Sequence, residues 1–284
     1  MSEKDVSSRR DVLKTAGALA AGAAMSGLFT AAKAAAAKEE GKAPRLGMVI
    51  DLRKCVGCFS CQVSCKMENG VPMAGFNSWV KVYDMGEYPK AKRVFLPRLC
   101  NHCEGTEKDK IPPCVKICPE YPKKKQTFTT ADGKKITYRD GATYKRPDGL
   151  ILIDNDPCTG CGKCIKECAF GSRYFDPRIK SGADKTKNAV GKCNFCQHRI
   201  EKGLEPACVR NCVGKARTFG DLNDPNSEVS QLIKNNPAKT LKPPKLKEDI
   251  RPRVYYIGLD EDVAKIEAKT EEEINTKPQI IYSL

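Results

Sequence analysis

Apolar residues in this chain come in short runs. Gly47-Met48-Val49-Ile50-Asp51 and Leu150-Ile151-Leu152-Ile153-Asp154 are two such runs, each ending in aspartate and followed by a cysteine-rich loop. Runs of this length bounded by polar residues predict buried strands, and each loop leads into a short helix. Residues 126–130 and 134–138 flank Ala131-Asp132-Gly133 in the pattern of a β-hairpin. Residues 223–248 are rich in Pro, Asn and Lys and predict an extended strap; residues 261–273 predict a polar helix. No fully apolar run of 18 residues exists, which excludes an integral membrane protein.

Composition sharpens the picture. The 284 residues include 16 cysteines but only 2 histidines, His102 and His198, so His-rich metal sites are excluded. The cysteines form four quartets: Cys55, Cys58, Cys61, Cys65; Cys100, Cys103, Cys114, Cys118; Cys158, Cys161, Cys164, Cys168; and Cys193, Cys196, Cys208, Cys212. None is left over. Residues 48–65 and 151–168 align without a gap at an offset of 103, with Gly57 matching Gly160. The second and fourth quartets share a looser spacing, and Pro112-Pro113-Cys114-Val115 parallels Pro206-Ala207-Cys208-Val209. The order is A-B-A′-B′, a duplicated unit holding two motifs. Residues 104–110 and 120–140 are polar insertions, expected as solvated decoration or a contact for a partner subunit.

Residues 1–37 read as a targeting segment. Ser8-Arg9-Arg10-Asp11-Val12-Leu13-Lys14 resembles a twin-arginine export motif, an Ala/Gly-rich stretch follows, and Ala32-Lys33-Ala34 or Ala35-Ala36-Ala37 offers a cleavage site. That route carries proteins already folded, typically around a cofactor, to the periplasm or another extracytoplasmic space.

The first and third quartets are C-x2-C-x2-C-x3-C. Three thiolates within seven residues wrap one face of a cubic iron–sulfur cluster, and the fourth cysteine, starting the next helix, points away to a second cluster as in two-cluster ferredoxins. Four motifs then make four [4Fe–4S] clusters. Structural zinc uses C-x2-C pairs separated by a longer loop. The second and fourth quartets could pass for that; the first and third could not. Disulfides suit an exported chain, but close C-x2-C-x2-C triplets bridge one another poorly. A mixture of zinc and clusters is the third alternative. Lys54, Lys163, Lys166, Lys192 and Arg199 lie near the cysteines, as solvated charge or as groups that raise a cluster's potential. The histidines read as packing beside a cluster. No catalytic constellation is present. The formal charge of +15 could suggest DNA, but the basic residues are dispersed and Trp79 is the single tryptophan. Each oxidised cluster with its thiolates carries about −2, so four of them take the balance to about +7.

These motifs resemble the four-cluster iron–sulfur subunit of respiratory molybdopterin oxidoreductases, the dimethyl sulfoxide reductase family, over residues 45–260. Carrying it are the run before Cys55, Pro97-Arg98-Leu99-Cys100-Asn101-His102-Cys103, Pro112-Pro113-Cys114, residues 141–149, Cys193-Asn194-Phe195-Cys196, His198-Arg199, Pro206-Ala207-Cys208, Gly220-Asp221-Leu222, Leu241-Lys242-Pro243 and Arg253-Val254-Tyr255-Tyr256. The likeness is strongest to the tetrathionate, arsenate and polysulfide or thiosulfate types.

The resemblance implies the fold class: α+β, with two two-cluster ferredoxin-like modules, long loops and a C-terminal extension. Module one is discontinuous, 45–98 plus 187–222; module two is 99–186; a strap and tail occupy 223–284. It implies four ligand sets: Cys55, Cys58, Cys61 and Cys212 (one); Cys193, Cys196, Cys208 and Cys65 (two); Cys100, Cys103, Cys114 and Cys168 (three); Cys158, Cys161, Cys164 and Cys118 (four). It implies a non-catalytic subunit that passes single electrons between a membrane quinone-reactive subunit or cytochrome and a molybdopterin catalytic subunit, membrane-associated through its partner. The alternatives are an equivalent subunit of a formate dehydrogenase or hydrogenase and, from another class, an exported zinc-stabilised binding protein. Ala169 stands where the family often has proline after the last cysteine, while Pro119 is kept. Neither this departure nor the insertions remove a ligand; they leave the partner surface open.

Overall fold

In a computed structural model of the chain, residues 43–242, 248–269 and 281–282 are described. The export segment expected over 1–37 lies outside them, as do parts of the strap and tail. The first apolar run forms β1 (Leu46–Asp51), with all but its first residue buried. It is the middle strand of a three-stranded sheet. On one side it pairs antiparallel with β10 (Arg217–Asp221), Val49 opposite Thr218, and on the other parallel with β11 (Val254–Ile257), Val49 beside Tyr255. A strand paired on both edges and covered on both faces must be apolar throughout, which is why Met48-Val49-Ile50 shows no alternation. This sheet joins the stretch before the first quartet to the stretch after the fourth.

The first loop leads into α1 (Ser60–Asn69), and β2 (Ser78–Met85) and β3 (Lys92–Leu99) follow as an antiparallel pair with β12 (Ile281–Tyr282) on the outer edge of β2. Around the second and third quartets lie α2 (Pro113–Lys116), the hairpin β4 (Lys125–Thr129) and β5 (Lys135–Arg139), the pair β6 (Thr143–Lys145) and β7 (Ile151–Ile153), and α3 (Lys163–Lys166). The pair β8 (Tyr174–Lys180) and β9 (Asn188–Gly191), then α4 (Gln197–Ile200) and α5 (Ala207–Arg210), complete the cysteine-bearing part. Small sheets and short helices make this a mixed α and β fold. The described residues fall in one compact unit. Its main core joins Met48, Ile50, Leu96, Leu99, Leu150 and Tyr256, all at most 1% exposed, with cysteines of several quartets. Each such side chain stabilises the fold by about 1.5–3 kcal/mol.

The strap expected over 223–248 is not extended throughout. It contains α6 (Glu228–Asn235), capped by the Ser227 hydroxyl accepting from the Ser230 N–H, with Val229 buried against Val49 and Ile257. The helix expected over 261–273 is α7 (Glu261–Glu267), started by Asp260, which accepts from the Asp262 and Val263 N–H groups. It is not polar all round: Val263 and Ile266 are buried. Glu267 at its end pairs with Arg98 and Lys81. The insertion at 104–110 is only partly surface decoration. Glu104 is buried among Arg45, Arg251 and Arg253, and its N–H bonds to the Arg251 carbonyl. No helix among the described residues is long and apolar enough to cross a membrane.

Candidate iron–sulfur sites

The internal repeat carries into the backbone. α1 begins at Ser60 and α3 at Lys163, again 103 residues apart, and each is preceded by a left-handed residue, Phe59 at φ 58° and Gly162 at φ 69°. Gly57 and Gly160 share positive φ values of 66° and 63°. In such a conformation the chain reverses tightly and L side chains are disfavoured. The turns point backbone N–H groups at sulfur. The Gly160 N–H lies 3.4 Å from Cys158 Sγ, and Phe195 places its own at 3.4 Å from Cys193 Sγ. Past the last cysteines, Ser172 and Ala216 donate to Cys168 and Cys212 at 3.4 and 3.2 Å. Cys65 does not start a helix, contrary to the expectation from its spacing; it sits in the second turn of α1, one turn beyond Cys61.

Two cavities show which thiols meet. One is lined by Cys55, Cys58, Cys61 and Cys212 with Val80, Pro97 and Arg217. The other is lined by Cys118, Cys158, Cys161 and Cys164. In each, three neighbouring cysteines are joined by one from a remote motif. Elsewhere, the Asn69 amide reaches Cys65 Sγ at 3.6 Å and Cys196 Sγ at 3.5 Å, and Cys208 and Cys196 are the thiols that act most strongly on Cys65. On Cys103 those thiols are Cys100, Cys114 and Cys168. Among the described residues no three His, Cys, Asp or Glu side chains converge on a single-ion site. The thiols stand around spaces instead, which fits a multi-atom inorganic core. So do two buried polar groups left without protein partners beside Cys100 and Cys103: the Asn101 amide and His102 Nε2.

The electrostatics show what a thiolate would need here. Burial pushes the Cys103 and Cys193 thiols well above their ordinary range, and Cys208 up to about 11. Such thiols ionise only beside a strong positive charge, which the iron of a bound cluster would supply. Cys58 is exposed, and the Ser60 hydroxyl and N–H hold its thiol below the usual value. Cys161 is the other exposed cysteine.

His102 is fully buried. It accepts at Nδ1 from the Ile151 N–H at 3.0 Å and stacks on Phe195 with ring centroids 3.8 Å apart. These two residues occupy matching places in the second and fourth motifs, both with positive φ, so the repeats meet through them. His198 lies at the surface on Glu68, which also pairs with the half-buried Arg199. Lys54, Lys163 and Lys166 are exposed; Lys192 is buried. Sequence reasoning missed Asn69, Arg173 and Arg217. The two arginines had a signal: each lies five residues after the last cysteine of its motif, Cys168 or Cys212.

Comparison with known proteins agrees. Residues 91–222 match the model of a 4Fe-4S dicluster domain. The chain is 36% identical to a tetrathionate reductase subunit of Salmonella typhimurium, over 90% of each chain. It is 36% identical to the arsenate respiratory reductase iron–sulfur subunit of a Shewanella species, over 75% of this chain and 96% of the relative. A selenate reductase subunit of Mesobacillus selenatarsenatis is 35% identical over 74% of this chain and 70% of its own. With cysteines enough for four [4Fe–4S] clusters, the chain belongs to the family of iron–sulfur electron-transfer subunits of oxidoreductase complexes.

Proposed function

We propose that the chain passes single electrons through four [4Fe–4S] clusters, between a membrane quinone-reactive subunit or cytochrome and a molybdopterin catalytic subunit. The complex would be an anaerobic respiratory reductase of tetrathionate, arsenate, polysulfide or thiosulfate type. Cys55, Cys58, Cys61 and Cys212 hold cluster one; Cys193, Cys196, Cys208 and Cys65 cluster two. Cys100, Cys103, Cys114 and Cys168 hold cluster three; Cys158, Cys161, Cys164 and Cys118 cluster four. The observation that carries this reading is the pair of cavities in which Cys212 completes the first motif and Cys118 the third.

Bound there, the clusters supply reversible one-electron chemistry. The chain's own residues set their surroundings and their order. Cys65 and Cys208 neighbour Cys61, linking sets one and two. Cys193 neighbours Cys100, linking two and three, and Cys114 neighbours Cys164, linking three and four. The ends of this line hold the two exposed thiols, Cys58 and Cys161. Around Cys58 stand the exposed Val56 and Val213; near Cys161, Phe175. We assign electron entry and exit to these ends. The β1–β10 pairing supports a discontinuous first module, 45–98 plus 187–222, with 99–186 as the second. The twin-arginine pattern supports export of the folded, loaded chain to an extracytoplasmic site, held at the membrane through its partner.

The test is isolation of the chain with its partners from the native host. About sixteen irons and as many acid-labile sulfides per chain are expected; about four zinc ions instead would sink the reading. Assay of the complex with reduced viologen against tetrathionate, thiosulfate, polysulfide, arsenate and selenate identifies the acceptor. Activity with formate or hydrogen alone would move it to the dehydrogenase or hydrogenase alternative.

A further inference from the structure

Three cations are buried close to the thiols: Arg217 is 3% exposed, Arg173 5% and Lys192 7%. Among the described residues none is paired with a carboxylate; the groups that would act on them as counter-charges, once ionised, are chiefly cysteine thiols. A buried charge without a counter-charge is strongly disfavoured, so each position needs an anion that the protein's acids do not provide.

Their placement is regular. Arg217 lines the Cys55/Cys58/Cys61/Cys212 cavity and also acts on Cys208, so it faces sets one and two. The Arg173 guanidinium lies 3.2 Å from Cys114 Sγ and also acts on Cys164, so it faces sets three and four. Lys192 donates to the Ile151 and Cys193 carbonyls, and Cys193, Cys100 and Cys114 lie near it, in sets two and three. The two arginines follow from one local device. In both, the residue before the arginine donates its N–H to the last cysteine, and the turn sends the guanidinium back between two sets. At the seam between the repeats only one of two equivalent places is charged. Lys192 precedes Cys193, whereas Leu99 precedes Cys100 and is buried in the core. Because Cys100 and Cys193 are neighbours, a second lysine there would set two like charges together.

We propose that Arg217, Lys192 and Arg173 are junction charges, one between each consecutive pair of clusters, each raising the reduction potentials of both its neighbours. A charge shared by two centres moves both in the same direction, whereas one beside a single centre opens a gap between neighbours. This inference rests on the allocation of thiols proposed above.

The experiment is an anaerobic potentiometric titration, read by electron paramagnetic resonance, on the complex carrying the full chain. Single Cys→Ser variants first assign each signal to its thiols; a wrong allocation shows there, before any cation is changed. Arg173→Gln is then expected to lower the midpoints of clusters three and four and leave one and two in place. Arg217→Gln should lower one and two, and Lys192→Met two and three. A shift confined to one cluster, spread over all four, or absent with iron content intact overturns the inference. If a glutamine variant loses iron, Arg173→Lys and Arg217→Lys decide. Kept charge should keep both midpoints near their starting values; a paired drop would show that guanidinium geometry, not charge, sets them.

Discussion

Glu104 shows how far a single residue can depart from its sequence context. It lies in a polar stretch that reads as surface, yet its side chain is only 12% exposed and faces Arg45, Arg251 and Arg253. Burial pushes its carboxyl up, and the three arginines outweigh that and hold it below the usual carboxylate range. The Arg253 side chain, 6% exposed, is the group at risk if Glu104 is lost. Glu104→Ala leaves that guanidinium without its carboxylate, and removing one partner of a buried pair costs ~3 kcal/mol or more. Anaerobic denaturant titration of the loaded protein should show this loss of stability, with Glu104→Asp intermediate. Equal stability of the alanine variant would mean that water replaces the carboxylate. Phe195 makes a second residue-scale case. It is 1% exposed, stacks on His102 and meets Phe219 edge-on with centroids 5.1 Å apart. Phe195→Ala should cost about 3–5 kcal/mol by opening a cavity, read in the same titration. Neither role was visible in the sequence, because each depends on contacts with residues tens of positions away.

At the scale of elements, what the sequence disclosed was local. The strand at β1 and the hairpin β4–β5 fell within a residue of the expected ranges, because a short apolar run and a turn at Ala131-Asp132-Gly133 need no distant partner. All sixteen cysteines could be grouped as candidate cluster ligands from the sequence, because cluster chemistry fixes the spacing it requires. α6 was missed although Val229, Leu232 and Ile233 recur at helical spacing; the Pro, Asn and Lys around them hid a helix of two turns. Two changes separate loops that shape a cluster site from loops that do not. At Gly160, φ is 63° and an added Cβ would lie 2.9 Å from the Asn188 carbonyl oxygen, within the turn that aims an N–H at Cys158. Gly133 has a φ of 83° but open space around it. Gly160→Ala should therefore lower iron content by loss of cluster four, while Gly133→Ala costs about 1 kcal/mol of local strain and leaves iron unchanged. The hairpin itself closes on Lys123–Asp140 and Lys124–Asp140 backbone bonds at its base. Excising residues 126–138 with a short linker should leave iron and sulfide at full content; loss of cluster four instead would make the hairpin part of its support.

At the scale of the whole molecule, the proposed long-range pairing of thiols makes assembly depend on distant motifs. Two of the four expected sets, one and four, surround cavities that need a cysteine from a distant motif. No site of this kind can close until its remote partner arrives, so folding and cluster insertion are coupled. The same pairing yields a decisive asymmetry. Cys212 lies in the fourth motif, four residues after Cys208, yet its thiol opens on the cavity of Cys55, Cys58 and Cys61. Serine keeps the size and loses the soft thiolate that iron prefers. Cys212→Ser should then remove or convert the cluster held by the first motif and spare the one held by Cys193, Cys196 and Cys208. Cys118→Ser should likewise affect the cluster of Cys158, Cys161 and Cys164 and spare that of Cys100, Cys103 and Cys114. Each variant should retain about twelve to fifteen of about sixteen irons, with one resonance signal changed and three intact. The reverse result, in which Cys212→Ser spares the first motif and destroys its own, would mean that each quartet closes on itself. The line of clusters would keep its order even then, because Cys61 and Cys208, Cys193 and Cys100, and Cys114 and Cys164 would still neighbour one another across two sites; only Cys65, Cys118, Cys168 and Cys212 would trade places.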